Sequence, residues 1–128
     1  MWADYFSSDL SVPVDEPVPL KPTNYVGCNI VCSANNVKVG GTYKTITSNF
    51  YNETYEDISD EYKDIERVWN FYIDDILVNK LVDVKYDVNK NIIKIKFKDD
   101  KQYIGKSLLI ECVTNYYIFG KTTIGIIG

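Results

Sequence analysis

The sequence contains no histidine and only one arginine, Arg67, and each shortage closes off a line of chemistry. Without histidine the commonest general base and metal ligand is missing, so Ser-His-Asp and Cys-His nucleophile arrangements cannot be assembled. No GxGxxG, GxxxxGK[ST] or HExxH spacing occurs either. The expectation is a protein that is not an enzyme, with no cofactor and no metal site. Cysteine is scarce as well: Cys28, Cys32 and Cys112 are too few and too unevenly spaced for a disulfide scaffold or a closed zinc site. Cys28 and Cys32 on one extended strand would stand about 13 Å apart, beyond the roughly 7 Å that a bridge spans. All three are read as small buried apolar residues, with a Cys32–Cys112 or Cys28–Cys112 inter-sheet bridge as the alternative. No stretch reaches the roughly 20 apolar residues that cross a bilayer, and the first residues lack the basic start and apolar core of a secretion signal. This leads to the expectation of a soluble chain made in the cytosol, with no membrane partner. A net charge of −4 weighs against binding to nucleic acid phosphates.

Proline is absent from most of the chain. Pro13, Pro17, Pro19 and Pro22 are the only four, and all fall in residues 1–24, where Asp4, Asp9, Asp15 and Glu16 outnumber Lys21. Such a segment favours an extended arm over a packed element. It also carries Trp2, Tyr5, Phe6, Leu10, Val12, Val14, Val18 and Leu20, more apolar surface than a solvated linker normally holds. Two readings follow. The arm is a loose terminus or a strand folded back on its own domain, or it docks on a neighbouring subunit through Trp2, Tyr5, Phe6 and Leu10.

What is present from residue 25 onward is alternation. In Ile92–Val113, Ile93, Ile95 and Phe97 point one way and Lys94, Lys96 and Lys98 the other; after a loop, Leu108, Ile110 and Cys112 resume the period. The stretch reads as a hairpin of two half-buried strands, its lysines protecting an exposed strand edge. Cys28, Ile30 and Cys32, then Ile46, Ser48 and Phe50, then Trp69, Phe71 and Ile73, then Val82, Val84 and Tyr86 repeat the pattern, with Val37–Val39 as a short edge and 117–127 as the last strand. Gly40-Gly41 reads as a turn needing positive φ.

About seven short strands with regular turn signals predict an all-β fold, an immunoglobulin-like β-sandwich, with Trp69 as the large residue between sheets. The cysteine pair usual in that sandwich is not evident, so burial alone is expected to stabilise it. One segment departs from the pattern. Ile58, Tyr62, Ile65 and Trp69 are spaced for one helical face, predicting a short helix between the second and third strands, capped by Asp57 or Ser59 and ending before Trp69. The predicted organisation is an arm over residues 1–24 and a sandwich domain over 25–128.

Seven acids and one lysine crowd residues 53–66, whereas residues 80–106 hold eight lysines and four acids. If these map to opposite ends, the domain has a dipole suited to orientation on a partner. Neither the acidic stretch nor Asp99-Asp100 has the order of a calcium loop, so a solvated acidic face is expected.

VKVGGTYKTITSNFYN, YKDIERVWNFYIDD and NIIKIKFKDDKQYIGKSLLIECV together resemble an Ig-like domain. It is the one at the C-terminal end of neck or head-closure proteins, and on other tail-associated proteins, of phages infecting low-GC Gram-positive bacteria. The resemblance runs from Val26 to Gly128 and is strongest in IKIKFKDD with YIGK. Thirteen lysines beside the single arginine, with much Ile, Asn and Tyr, suit an AT-rich genome of that kind. The resemblance implies a virion structural module, made in the host cytoplasm, with no catalytic residues. Its partners would be neck, tail or capsid subunits, in a symmetric homo-oligomer within the particle. The chain departs from longer members of the family in having only the 1–24 arm before the Ig-like domain. The alternative is a surface or secreted adhesion module binding carbohydrate or protein through tyrosines, with Tyr116 and Tyr117 as the candidate patch. A third reading is a cytosolic regulatory or inhibitor domain.

Overall fold

A computed structural model describes residues 25–114 and 117–128. The alternation in their sequence becomes alternation of burial. Ile46, Ser48 and Phe50 are fully enclosed on β3 (Lys44–Tyr51), as are Ile93, Ile95 and Phe97 on β7 (Ile92–Phe97) and Leu108, Ile110 and Cys112 on β8 (Ser107–Thr114). The remaining strands are β1 (Gly27–Cys32), β2 (Asn36–Lys38), β4 (Arg67–Ile73), β5 (Ile76–Leu77), β6 (Val82–Tyr86) and β9 (Phe119–Ile127). β-Branched and aromatic residues dominate the inward positions, where they fit a pleated surface with one dry face.

The strands form two sheets, ordered β1-β3-β7-β6 and β2-β9-β8-β4-β5. All pairings are antiparallel except β2 with β9. Setting aside the short β2 and β5, the first, second, fifth and fourth strands share one sheet and the third, sixth and seventh the other. That is the immunoglobulin strand order. Between the sheets lie Phe50, Phe71, Phe97, Ile46, Ile93, Ile95, Leu108, Ile110 and Ile126, each contributing about 1.5–3 kcal/mol of burial. Gly40 has φ 65°, as the turn reading required, and Asp74 and Asp75 both have positive φ in the two-residue turn joining β4 to β5.

Two expectations are corrected. First, Ile92–Val113 is not a hairpin: β7 and β8 belong to different sheets, and the connection between them crosses from one to the other. Second, β7 is an interior strand flanked by β3 and β6, so Lys94 and Lys96 protect no edge. They stand on the outer face of that sheet, where Lys85 and Lys96 place their ammonium groups 4.3 and 5.6 Å from the Tyr43 ring centroid.

The short helix expected between the second and third strands is present as a single 3₁₀ turn, Ser59–Tyr62, which ends before Trp69. Its N-cap is Ile58, without a side-chain cap; Asp57 instead accepts the Ser59 N–H at 2.8 Å. The Tyr62 carbonyl accepts the Ile65 N–H at 3.1 Å and the Arg67 guanidinium as well, the guanidinium also reaches the Ile65 carbonyl, and β4 begins at Arg67 with Trp69 on it.

Candidate interaction surface

Strand register brings four segments to one end of the sandwich. Gly27 opens β1 opposite Tyr51 at the end of β3, Arg67 opens β4 opposite Thr114, and Phe119 opens β9 opposite Val113. The described chain therefore begins at Tyr25 beside the 52–66 connection, the 87–91 turn and Tyr117-Ile118. The opposite end carries the 33–43 connection, the Asp74-Asp75 turn and the 98–106 connection, where Lys106 pairs with Asp74 at 2.7 Å.

Large apolar and aromatic side chains are exposed at the entry end: Tyr25, Tyr55, Val68, Tyr86, Val88, Tyr117 and Phe119. Val68, Val113 and Phe119 are directly opposite one another on β4, β8 and β9 and form an outward apolar row. Beside it a shallow groove of about 250 Å³ is lined by Glu66, Arg67, Val68, Val113 and Thr114. A second, also about 250 Å³, lies between Trp69, Tyr86 and Ile92, with the Lys90–Glu66 ion pair at its rim. Both are below the size of usual small-molecule sites.

The acidic connection at this end is held in shape by Arg67. Its Nη1 donates to Ser48 Oγ at 2.7 Å and Asn91 Oδ1 at 2.6 Å; Nε and Nη2 donate to the Ile65 carbonyl, and Nη2 also to that of Tyr62. The guanidinium lies 5.1 Å from the Phe50 ring centroid, and Phe50 stacks on Tyr62 at 4.3 Å. Asn91 completes the network by donating to the Ser59 carbonyl, while the Ser59 hydroxyl accepts the Phe50 N–H. Burial pulls the Arg67 pKa down from its usual value, opposed by Cys112 and Cys28 nearby. A lysine could not reach these acceptors together, because it lacks the planar fork. The sequence offered one signal for this role: Arg67 is the only arginine in a chain otherwise using lysine.

Around this clamp the acids face outward. Glu56 accepts from the Asn52 amide and the Thr54 hydroxyl, and Asp57 from Ser59; these hydrogen bonds hold both carboxyl groups below their usual pKa. A depressed folded-state pKa means that the contribution is present above the ordinary carboxylate value of about 4 and lost as pH falls through the lower folded-state value. Acidification from pH 5 through about 4 and below is therefore expected to increase amide exchange at residues 52–59 before it reaches β3 or β8. Uniform onset across all three would count against this local role. Among the described residues, no group of three acidic or cysteine side chains converges to hold a metal ion.

Of the residues singled out from sequence, Tyr117 lies at the entry end, 85% exposed with φ 62°, its N–H bonded to the Thr114 carbonyl. Trp2, Tyr5, Phe6, Leu10 and Tyr116 lie outside the described residues. The Val68–Val113–Phe119 row escaped sequence reading because it sits at positions that alternate away from the core. No protein-family model matches the chain, and no curated protein matches it in sequence.

Proposed function

We propose that this protein is a non-enzymatic structural component of a phage particle, an Ig-like module attached through residues 1–24 to neck, tail or capsid subunits. An immunoglobulin-type sandwich serves many unrelated roles, so the fold alone does not argue for this one. The observation that carries the reading is the exposed apolar and aromatic surface at the end where the described chain begins, residues 1–24 before it in sequence being rich in large apolar side chains. Exposed apolar groups gathered beside such a segment suit burial against a neighbouring subunit. The acidic connection on the same end would favour a basic patch on that neighbour and so orient the module.

Changing Trp2, Tyr5, Phe6 and Leu10 together to Ser is expected to release the protein from purified particles. The melting temperature of the isolated variant should stay within about 2 °C of the parent, as for changes outside the core. Retention on the particle would remove the basis for attachment through the arm. Unfolding in isolation would instead make these residues part of the core.

A second reading, an adhesion module binding carbohydrate, draws on Tyr117, whose ring is free to stack on a sugar face. It requires binding on a glycan array that Tyr117→Ala abolishes; an array with no signal for the parent protein ends it.

A further inference from the structure

Cys28 and Cys112 stand on strands of opposite sheets, yet their side chains meet in the core. Gly120 on β9 makes this possible. It pairs directly with Cys112, and a Cβ built on it would lie 2.6 Å from the Cys28 carbonyl oxygen and 3.0 Å from the Cys28 sulfur. Any side chain at Gly120 would push β1 away. Residues directly opposite in an antiparallel pair have Cβ atoms about 5 Å apart, so a sulfur this close to Gly120 is within reach of the Cys112 side chain. All three cysteines are free thiols.

In the immunoglobulin sandwich of antibodies the inter-sheet bridge joins the strands equivalent to β3 and β8, beside a tryptophan on the equivalent of β4. Here β4 carries Trp69 and β8 carries Cys112, but β3 presents Ser48, engaged by Arg67 and the Asn91 carbonyl. The neighbouring sulfur is supplied by β1 instead.

We propose that Cys28 and Cys112 are a latent inter-sheet disulfide, closed by a small-molecule disulfide oxidant and tying β1 to the opposite sheet. Its use rests on the attachment reading above. β1 directly follows residues 1–24 and is the edge strand of its sheet, so tension on the arm would reach β1 first. A particle released from a reducing cytosol meets oxidising conditions, under which such a bond persists.

The two positions divide the work. Cys28 is the less enclosed of the two and takes the first step with the oxidant, whereas Cys112 is fully enclosed and reacts with its neighbour. The adjacent Cys112 thiol, aided by the Arg67 charge, holds the Cys28 thiol below its ordinary pKa; the adjacent Cys28 sulfur, together with burial, pushes Cys112 up. The Cys28 thiolate attacks one sulfur of the oxidant, whose S–S bond breaks, and one small thiolate leaves and takes up a proton. Cys112 then loses its proton to solvent and attacks the Cys28 sulfur of the mixed disulfide, displacing the second small thiol. Two protein thiols are oxidised and one oxidant disulfide is reduced to two thiols.

The folded full chain, treated with oxidised glutathione and then alkylated, is expected to fall from three titratable thiols to one, Cys32, with a Cys28–Cys112 cross-linked peptide on mapping. The melting temperature should rise by about 10 °C or more, given the long loop the bridge closes, and return on reduction. Cys28→Ser, made at the half-buried position, should fold and abolish both changes, while Cys32→Ser should leave both in place. Three remaining thiols, a bridge through Cys32, or only intermolecular cross-links would overturn the proposal. An intact bridge in a chain that never associates with particles would instead overturn the attachment reading and leave the disulfide standing.

Discussion

Arg67→Ala is expected to destabilise the domain by about 3 kcal/mol in urea denaturation, a large effect for a side chain at the rim of the core. The cost comes less from lost charge than from what is left behind. Ser48 is fully buried and Asn91 is 4% exposed, and both lose the donor that occupies them. A buried acceptor without a partner loses its hydration and receives nothing in return. The carbonyls of Tyr62 and Ile65 lie nearer solvent and add less. Arg67→Lys should recover only part of the loss, since one ammonium cannot serve acceptors on β3, the 59–65 segment and residue 91 together. Amide exchange in 52–66 should rise in both variants beyond the global change. A loss under about 1 kcal/mol for Arg67→Ala would mean that water replaces the guanidinium at little cost and that the connection holds its own shape.

The second large effect is expected at Phe71, on β4, which lies between β8 and β5 in the five-stranded sheet. Its ring is 1% exposed, opposite Ile110 in register. Phe71→Ala removes the ring between two sheets whose backbones are held apart by neighbouring side chains, so the space cannot collapse and about 4 kcal/mol is expected to be lost. Phe71→Leu, which keeps most of the volume, should cost about 1 kcal/mol. The denaturant m-value should not change, because both variants still unfold the same surface. The two sites are separable by pattern as well as size. Loss at Phe71 lowers protection across both sheets together, whereas loss at Arg67 concentrates in the entry-end connection.

Several features were legible without coordinates because each depends on one residue's own neighbours along the chain. Inward positions on β3, β4, β7 and β8 followed from period-2 spacing, and the Gly40 turn from its need for positive φ. The errors share a cause. Alternation tells which way a side chain points but not which strand lies beside it, so β7 and β8 were joined as a hairpin although the connection carries the chain to the other sheet. The lysines of β7 were given an edge for the same reason. The helical spacing of Ile58, Tyr62, Ile65 and Trp69 corresponds to one 3₁₀ turn, Ser59–Tyr62, before the strand that carries Trp69.

By itself, then, the sequence determined the all-β class and the identity of most core residues. These rest on local covalent geometry and on the chemistry of residue types. The tertiary structure alone decided how the strands divide between sheets, that Arg67 ties the acidic connection to Ser48 and Asn91, that Val68, Val113 and Phe119 line up beside the point of entry, and that Cys28 rather than Cys32 meets Cys112 over Gly120. Each of these joins residues far apart in the chain, and such contacts depend on the order and crossing of strands, which no local spacing encodes.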